Sequence, residues 1–324
     1  MRRLLAAVLL SCIAAAGGAA AQTPLALTAK PLTLNPEDRA QETVDRLRWR
    51  GGIAVTSDDA RFGGLSDLVL DANGENLTAV TDAGRWLTAR LTYDRAGNLN
   101  GATNTRMGPL RDPRGLLLSG KRYQDAEALT RLSDGSLLVA FERDHRLLVF
   151  PKGGLAGLPQ AVAPPPGLQS LRANAGIEAL LALPDGGLLA FTEGHKAGDN
   201  FRVYLRDASG QLHNLALKPT GLFVPTAAAL LPAGDVILLE RRFTLLGGFG
   251  ARLSRIPLTA IRPGAVLDSK EIAELRAPLT LDNFEGLAVH EAEGGTTRLT
   301  LVSDDNFSPL QRTLIVQFEL VGTN

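Results

Sequence analysis

Short apolar runs alternate with polar, glycine-centred breaks along almost the whole chain. Five segments share one pattern: Phe62 to Gly84, Asp125 to Asp144, Ala175 to Gly194, Val224 to Arg242, and Asn283 to Asp305. Each reads as an apolar run, a turn, and a second apolar run that ends in an acid. The turns are Asn73-Gly74, Asp134-Gly135, Asp185-Gly186, Ala233-Gly234 and Gly294-Gly295. Such dipeptides between runs of strand-forming residues predict β-hairpins, because the tight turn requires positive φ. A third run follows most hairpins, as in HRLLVF, FRVYLRD, ARLSRIPL and TLIVQFEL. Every repeat therefore predicts a small antiparallel sheet of three or four strands.

The repeats recur every ~50 residues, the period of a propeller blade. The expectation is an all-β propeller of about six blades. Five are visible as hairpins, and the sixth would be shared between the ends, with Trp49 to Val55 pairing near Thr313 to Leu320 to close the ring. A β-sandwich or β-solenoid built from the same hairpins is the alternative. The Pro-rich run Ala163 to Gly167 reads as an inter-blade loop.

Composition narrows the class. The chain has 324 residues, 45% of them apolar, which is enough to bury a sizeable core. Lys plus Arg equals Asp plus Glu at 34 each, so no basic excess points to nucleic acid. Residues 1–21 read as a secretory signal peptide: Arg2 and Arg3, an apolar stretch from Leu4 to Ala16, and an A-x-A pattern at Ala19 to Ala21. Cleavage there removes Cys12, the single cysteine, and leaves no disulfide or thiolate site. A lipidated Cys12 and a twin-arginine route are the other readings of this segment. The expected organisation is a lead-in at 22–48 followed by one domain over 49–324, exported to the periplasm or secreted, monomeric, and without a transmembrane span.

The acids are placed with regularity. Glu127 stands seven residues before Asp134 and Glu142 seven after Gly135; Glu178 and Glu193 flank Asp185-Gly186 in the same way. Glu285 and Asp304 stand nine residues outside Gly294-Gly295. In two-residue hairpins such positions are direct cross-strand neighbours, where like charges destabilise. The other repeats keep half the pattern, with Ser66 and Asp82, and Thr226 and Glu240. Equivalent strand ends of all blades share one mouth of the channel. The predicted metal set is therefore Asp82, Glu127, Glu142, Glu178, Glu193, Glu240, Glu285 and Asp304. An all-oxygen set suits a hard cation, Ca²⁺ first and Mg²⁺ or Mn²⁺ next. Arg85, Lys196, Arg241 and Arg242 follow the second acids and are candidates to bind a small anionic, phosphorylated substrate; equally, such cations can simply neutralise the acids. His145 and His195 are candidates for proton transfer.

FGGLSDL, TDAGRW, DAEALTRLSDGSLLVAFE, IEALLALPDGGLLAFTEG, LLERRF and DNFEGLAV with LTLVSDDNF together resemble the bacterial phytase-like family, often labelled "esterase-like activity of phytase". The resemblance implies a propeller related to the calcium-dependent propeller phytases, with recurring acids that carry phosphoesterase chemistry. On these grounds the chain reads as a metal-dependent phosphoric-ester hydrolase, with Glu178 or Glu193 as general base and His195 assisting. The alternatives are a non-catalytic exported propeller with a structural calcium, and a calcium-dependent lactonase or esterase. No G-x-S-x-G elbow, H-E-x-x-H motif or phosphate-binding glycine loop offers another chemistry.

Overall fold

The protein is seen in a computed structural model that describes residues 23–197 and 200–322, the side chains of 195–197 excepted. It is a β-propeller. Five antiparallel four-stranded units form among the described residues. The first blade runs from Leu65–Leu70 through Asn76–Thr81 and Arg85–Tyr93 to Leu99–Pro109; the second from Ala126–Arg131 to Gln160–Val162; the third from Ile177–Ala182 to Leu212–Leu217. The fourth opens with Val224–Leu230 and ends on Lys270–Leu275. The fifth takes Phe284–Ala292, Thr296–Ser303 and Thr313–Leu320 from the C-terminal end and Leu47–Thr56 from the N-terminal end. The innermost strands of the five blades pack in a closed cycle, the first against the second and the fifth.

The expectation of six blades is thus corrected to five. The predicted closing pair exists, with Thr313 opposite Val55, Ile315 opposite Ile53 and Leu320 opposite Leu47. It completes the fifth blade instead of adding a sixth. Closure is sealed by Trp49, which packs edge-on against Phe318 at 5.2 Å. The lead-in residues form no blade: Thr28–Pro31 pairs along Leu47–Thr56, and Thr23–Pro24 along Leu99–Pro109.

Alternation at each strand buries apolar side chains between neighbouring blades, as in the cluster of Leu239, Leu253, Leu287, Leu301 and Phe318. The hairpin turns differ from the expected two-residue form. In the second blade the Gly135 N–H donates to the Leu132 carbonyl and the Leu132 N–H to the Ser136 carbonyl, at 2.9 Å each. Gly135 supplies the left-handed residue at φ 87° that this longer turn requires. The third and fourth blades repeat the arrangement around Leu183 and Leu231. The extra turn residue shifts every count made outward from a two-residue turn.

Candidate functional site

A second irregularity recurs at the far end of every hairpin. The register slips between Leu65 and Asp67, between Ile177 and Ala179, between Pro225 and Ala227, and between Phe284 and Gly286. In the second blade Ala126 lies opposite Phe141 but Ala128 lies opposite Ala140. The extra residue of each bulge is Ser66, Glu127, Glu178, Thr226 or Glu285. A bulge leaves its extra residue unpaired and re-aims the side chain. The expected face-to-face pairs of Glu127 with Glu142, Glu178 with Glu193 and Glu285 with Asp304 are therefore not formed. The members of each pair nonetheless stay close enough to repel, since the Glu142, Glu193 and Glu285 charges raise Glu127, Glu178 and Asp304 respectively.

One step further along the partner strand stands a second ring. The Asp82, Glu142 and Asp304 N–H groups donate to the Gly64, Asp125 and Asn283 carbonyls at 2.9, 2.8 and 3.0 Å. By the same register Glu193 occupies this position in the third blade and Arg241, opposite Val224, in the fourth. One mouth of the propeller thus carries Ser66, Glu127, Glu178, Thr226 and Glu285 on its bulges, and Asp82, Glu142, Glu193, Arg241 and Asp304 beside them.

The ring has two electrostatic halves. On one side Arg241 lies between Glu285 and Glu193, with Nε 3.4 Å from the Glu285 Oε1 and a terminal nitrogen 3.7 Å from the Glu193 Oε2. Although burial works against its charge, Glu285, Glu193, Glu178 and Asp304 hold it above its ordinary pKa. On the other side, carboxylate oxygens of Asp125, Glu127 and Glu142 lie within 4.8 Å of one another. Asp125 is anchored by Lys121 and Arg143, each at 2.5 Å. Lys121 also reaches the Asp82 Oδ2 at 2.7 Å. Gly64 makes room for that aspartate, since a Cβ there would lie 2.1 Å from the Asp82 Oδ1.

Glu142 accepts the Gly176 N–H at 2.7 Å and shares a hydrogen bond with Glu178. Burial first, and then neighbouring carboxylates, push Glu127 and Glu178 well above the usual range. Glu142 and Glu285 are raised chiefly by burial. Burial and the Glu285 charge push Asp304 up to about 8. Carboxylates crowded and desolvated in this way either keep protons or take up a cation. The Asp125, Glu127 and Glu142 cluster offers oxygen ligands only, with Glu178 bonded to it, which fits a hard divalent ion.

A family model described as phytase-like, "Esterase-like activity of phytase", matches residues 60–307. The chain belongs to this family. Similar solved structures include virginiamycin B lyase from Staphylococcus aureus (11% identity, 91% of this chain and 100% of that chain, TM-score 0.42). The Pan2 WD40 domain of Neurospora crassa is another (13% identity, 88% and 98%, TM-score 0.42). A third is the Cps50 β-propeller domain described as Myceliophteria thermophila (10% identity, 86% and 95%, TM-score 0.40). No curated protein matches the chain.

The phytase-like propeller places three of the candidates, Glu240, Arg242 and Arg85, away from the ring. Glu240 does not join the ring. It is fully buried on the other face of its strand, where it accepts from the Ser254 hydroxyl at 2.7 Å and pairs with Arg252. Strand alternation makes this unavoidable once Arg241 points into the mouth. Arg242 turns outward to Glu274 at 2.9 Å and stacks on Phe223. Arg85 has Arg61 and Asp59 as its charged neighbours, not the ring acids. The side chains of His195 and Lys196 lie outside the described residues. His145 is buried and hydrogen-bonds the Arg172 carbonyl through Nε2 at 3.0 Å. It abuts the Glu142 side chain across Gly176.

Sequence reasoning also missed Asp125, Lys121 and Asp67. Asp125 and Lys121 are an i,i+4 pair: Lys121 precedes the second repeat, and Asp125 opens it at a position where the other blades have Gly64, Gly176, Val224 and Asn283, so a search for recurring acids passes over both. Asp67 follows the first bulge, where the other blades have Ala128, Ala179, Ala227 and Gly286. Its carboxylate accepts the Leu68 and Leu129 N–H groups at 2.8 Å each and bonds the Leu287 N–H. One side chain thereby ties together the first, second and fifth blades. Exposed leucines rise around the same mouth: Leu245 (95% exposed) and Leu246 (104%) at the tip of the fourth blade's long hairpin, and Leu310 (92%) beside the fifth.

Proposed function

We propose that this protein is an exported, metal-assisted ester hydrolase acting at the acid-lined mouth, and that its substrate is a phosphoric ester. The observation that carries the reading is the division of the ring. A three-carboxylate cluster suited to a cation faces an arginine that replaces an acid in an otherwise acidic circle. Asp125, Glu127 and Glu142 would hold the ion, with calcium favoured by the all-oxygen ligand set. A bound divalent ion would supply charge neutralisation and Lewis-acid polarisation for an anionic ester.

The chain's own residues have distinct tasks in this scheme. Arg241 grips an anionic oxygen of the substrate, since its guanidinium is fixed from below by Glu285 and Glu193 and its charge is assured. Glu178 has a raised pKa and shares a hydrogen bond with Glu142, so it is suited to take a proton from an attacking water and return it to the leaving group. The apolar rim of Leu245, Leu246 and Leu310 favours an ester bearing an apolar group, such as an aryl or alkyl phosphodiester, over a polyphosphate that is charged all round. The same rim supports a carboxylic-ester or lactone substrate as the second reading.

The test is phosphate-ester, aryl-ester and lactone turnover by the EDTA-stripped protein as Ca²⁺, Mg²⁺ or Mn²⁺ is restored, beside Glu178→Gln and Glu127→Gln. Turnover of a phosphodiester that returns with the metal and is lost in both variants supports the proposal. Turnover of aryl esters or lactones alone transfers the site to the second reading. Metal-induced stabilisation with no turnover of any substrate defeats the catalytic assignment and leaves a structural calcium.

A further inference from the structure

The face opposite the carboxylates carries a separate cleft of about 960 Å³ between the first and fifth blades. The acids stand at the starts of the inner strands, whereas this cleft lies among the hairpin turns at their other ends, around Asn73, Gly97 and Glu293. Its floor is built from strands. Arg298 comes from Thr296–Ser303, His290 from Phe284–Ala292, Gln317 from Thr313–Leu320 and Tyr93 from Arg85–Tyr93. Arg298, His290 and Gln317 are 6%, 8% and 0% exposed, and each keeps a buried polar atom without a partner: Arg298 Nε, His290 Nδ1 and Gln317 Oε1.

Arg298 is the anomaly. A guanidinium this buried ordinarily faces a carboxylate. Among the described residues no acid lies within ion-pair distance of it, and its one hydrogen bond is a long 3.5 Å contact from a terminal nitrogen to the Gly97 carbonyl. The acids nearby are otherwise engaged. Glu319 pairs with Arg50 at 2.9 Å, Glu75 with Arg90 at 2.9 Å, and the Asp94 carboxylate caps its own turn through the Ala96 and Asn98 N–H groups. Gln317 spends its amide nitrogen on Tyr93 and Thr300, so its carbonyl oxygen is free to accept.

We propose that this cleft is a second ligand site, taking a small carboxylate that carries a neighbouring hydrogen-bond donor. The carboxylate would sit on the Arg298 guanidinium. The donor, a hydroxyl or amine, would satisfy the Gln317 carbonyl oxygen. Glu291 and Glu293 on the exposed rim disfavour a dianion such as phosphate, so a singly charged ligand fits best.

The experiment is calorimetric titration of the full chain in EDTA with lactate and gluconate, using lactamide and inorganic phosphate as controls. Lactate or gluconate should bind, and lactamide should bind more weakly by about tenfold or more, the worth of a charge-assisted hydrogen bond. Arg298→Gln should abolish binding. Ala96→Trp, at the exposed edge of the cleft, should block entry without touching the core and leave turnover at the opposite face unchanged; it carries the test if Arg298→Gln does not fold. The proposal is overturned if neither carboxylate binds, if binding survives Ala96→Trp, or if phosphate binds in preference.

Discussion

Arg241 is the residue on which the electrostatics of the mouth turn, and Arg241→Met isolates its part. The substitution keeps most of the volume and removes the only cation in a ring position otherwise held by Asp82, Glu142, Glu193 and Asp304. Breaking one side of a buried ion pair costs about 3–5 kcal/mol. The side chains of Arg241, Glu285 and Glu193 are 24%, 12% and 30% exposed, and the contacts are 3.4 and 3.7 Å, so the lower end applies. At 2–4 °C per kcal/mol for a domain of this size, a loss of ~3 kcal/mol lowers Tm by roughly 6–12 °C in EDTA at pH 8.

The loss should depend on pH. Burial raises Glu285 and Asp304 in the folded state (Asp304 to about 8), so the deficit left by removing Arg241 grows as these acids ionise in the folded protein and shrinks as falling pH protonates them. Melting followed by circular dichroism at pH 5 should therefore show most of the deficit removed. Arg241→Lys should retain much of the stability, and Ca²⁺ should raise Tm more in Arg241→Met than in the parent. A fall in Tm below about 2 °C at pH 8, which is under ~1 kcal/mol, or a deficit that is the same at pH 5, refutes the view that Arg241 is the counter-ion of the ring.

Three further outcomes follow from the same charges. Without metal, the parent protein should lose stability as pH rises from about 4 to about 8, because Asp304 and its raised neighbours must ionise while folded; urea unfolding in EDTA across that range measures it, and a flat profile contradicts it. Glu127→Gln should raise the Tm of the metal-free protein by removing the cost of burying a carboxyl that must stay protonated among other acids, yet abolish the rise produced by Ca²⁺; a variant that still responds fully to Ca²⁺ places the ion elsewhere. Asp67→Ala should cost about 2–6 kcal/mol, since it strands buried N–H groups of Leu68 and Leu129 at about 1–3 kcal/mol each; chemical denaturation showing less than about 1 kcal/mol would remove its inter-blade role.

Much of this protein is legible along the chain, because strands and turns are set by neighbours in sequence. Alternating runs around Asn73-Gly74, Asp134-Gly135 and Asp185-Gly186 specify hairpins, and the hydrophobic Leu47–Thr56 and Thr313–Leu320 segments specify the pair that closes the ring. The acids at 82, 127, 142, 178, 193, 285 and 304 were visible too, since their spacing from the turns repeats. Even Arg241 left a trace: it stands seven residues after Gly234, as Glu142 does after Gly135 and Glu193 after Gly186. Arg241 stood among the substrate-binding candidates, but its place in the ring was given to Glu240, the acid beside it.

What the sequence could not fix is whatever depends on contacts between blades. The blade number follows from how five inner strands close a circle and from where the non-repeated residues go; residues 23–46 add no blade of their own, so dividing length by period overcounts. The bulges at Ser66, Glu127, Glu178, Thr226 and Glu285 arise where the inner strands enter the mouth, and a slip of one residue there decides which side chain faces the channel and which faces the core. That slip puts Arg241 in the ring and buries Glu240 against Arg252. Lys121 enters the site from outside the repeat and Asp125 from a repeat position that carries no acid in the other blades, and Arg298 meets the cleft because ring closure sets the fifth blade beside the first. Local periodicity determined the elements, and packing around the axis decided which charges meet.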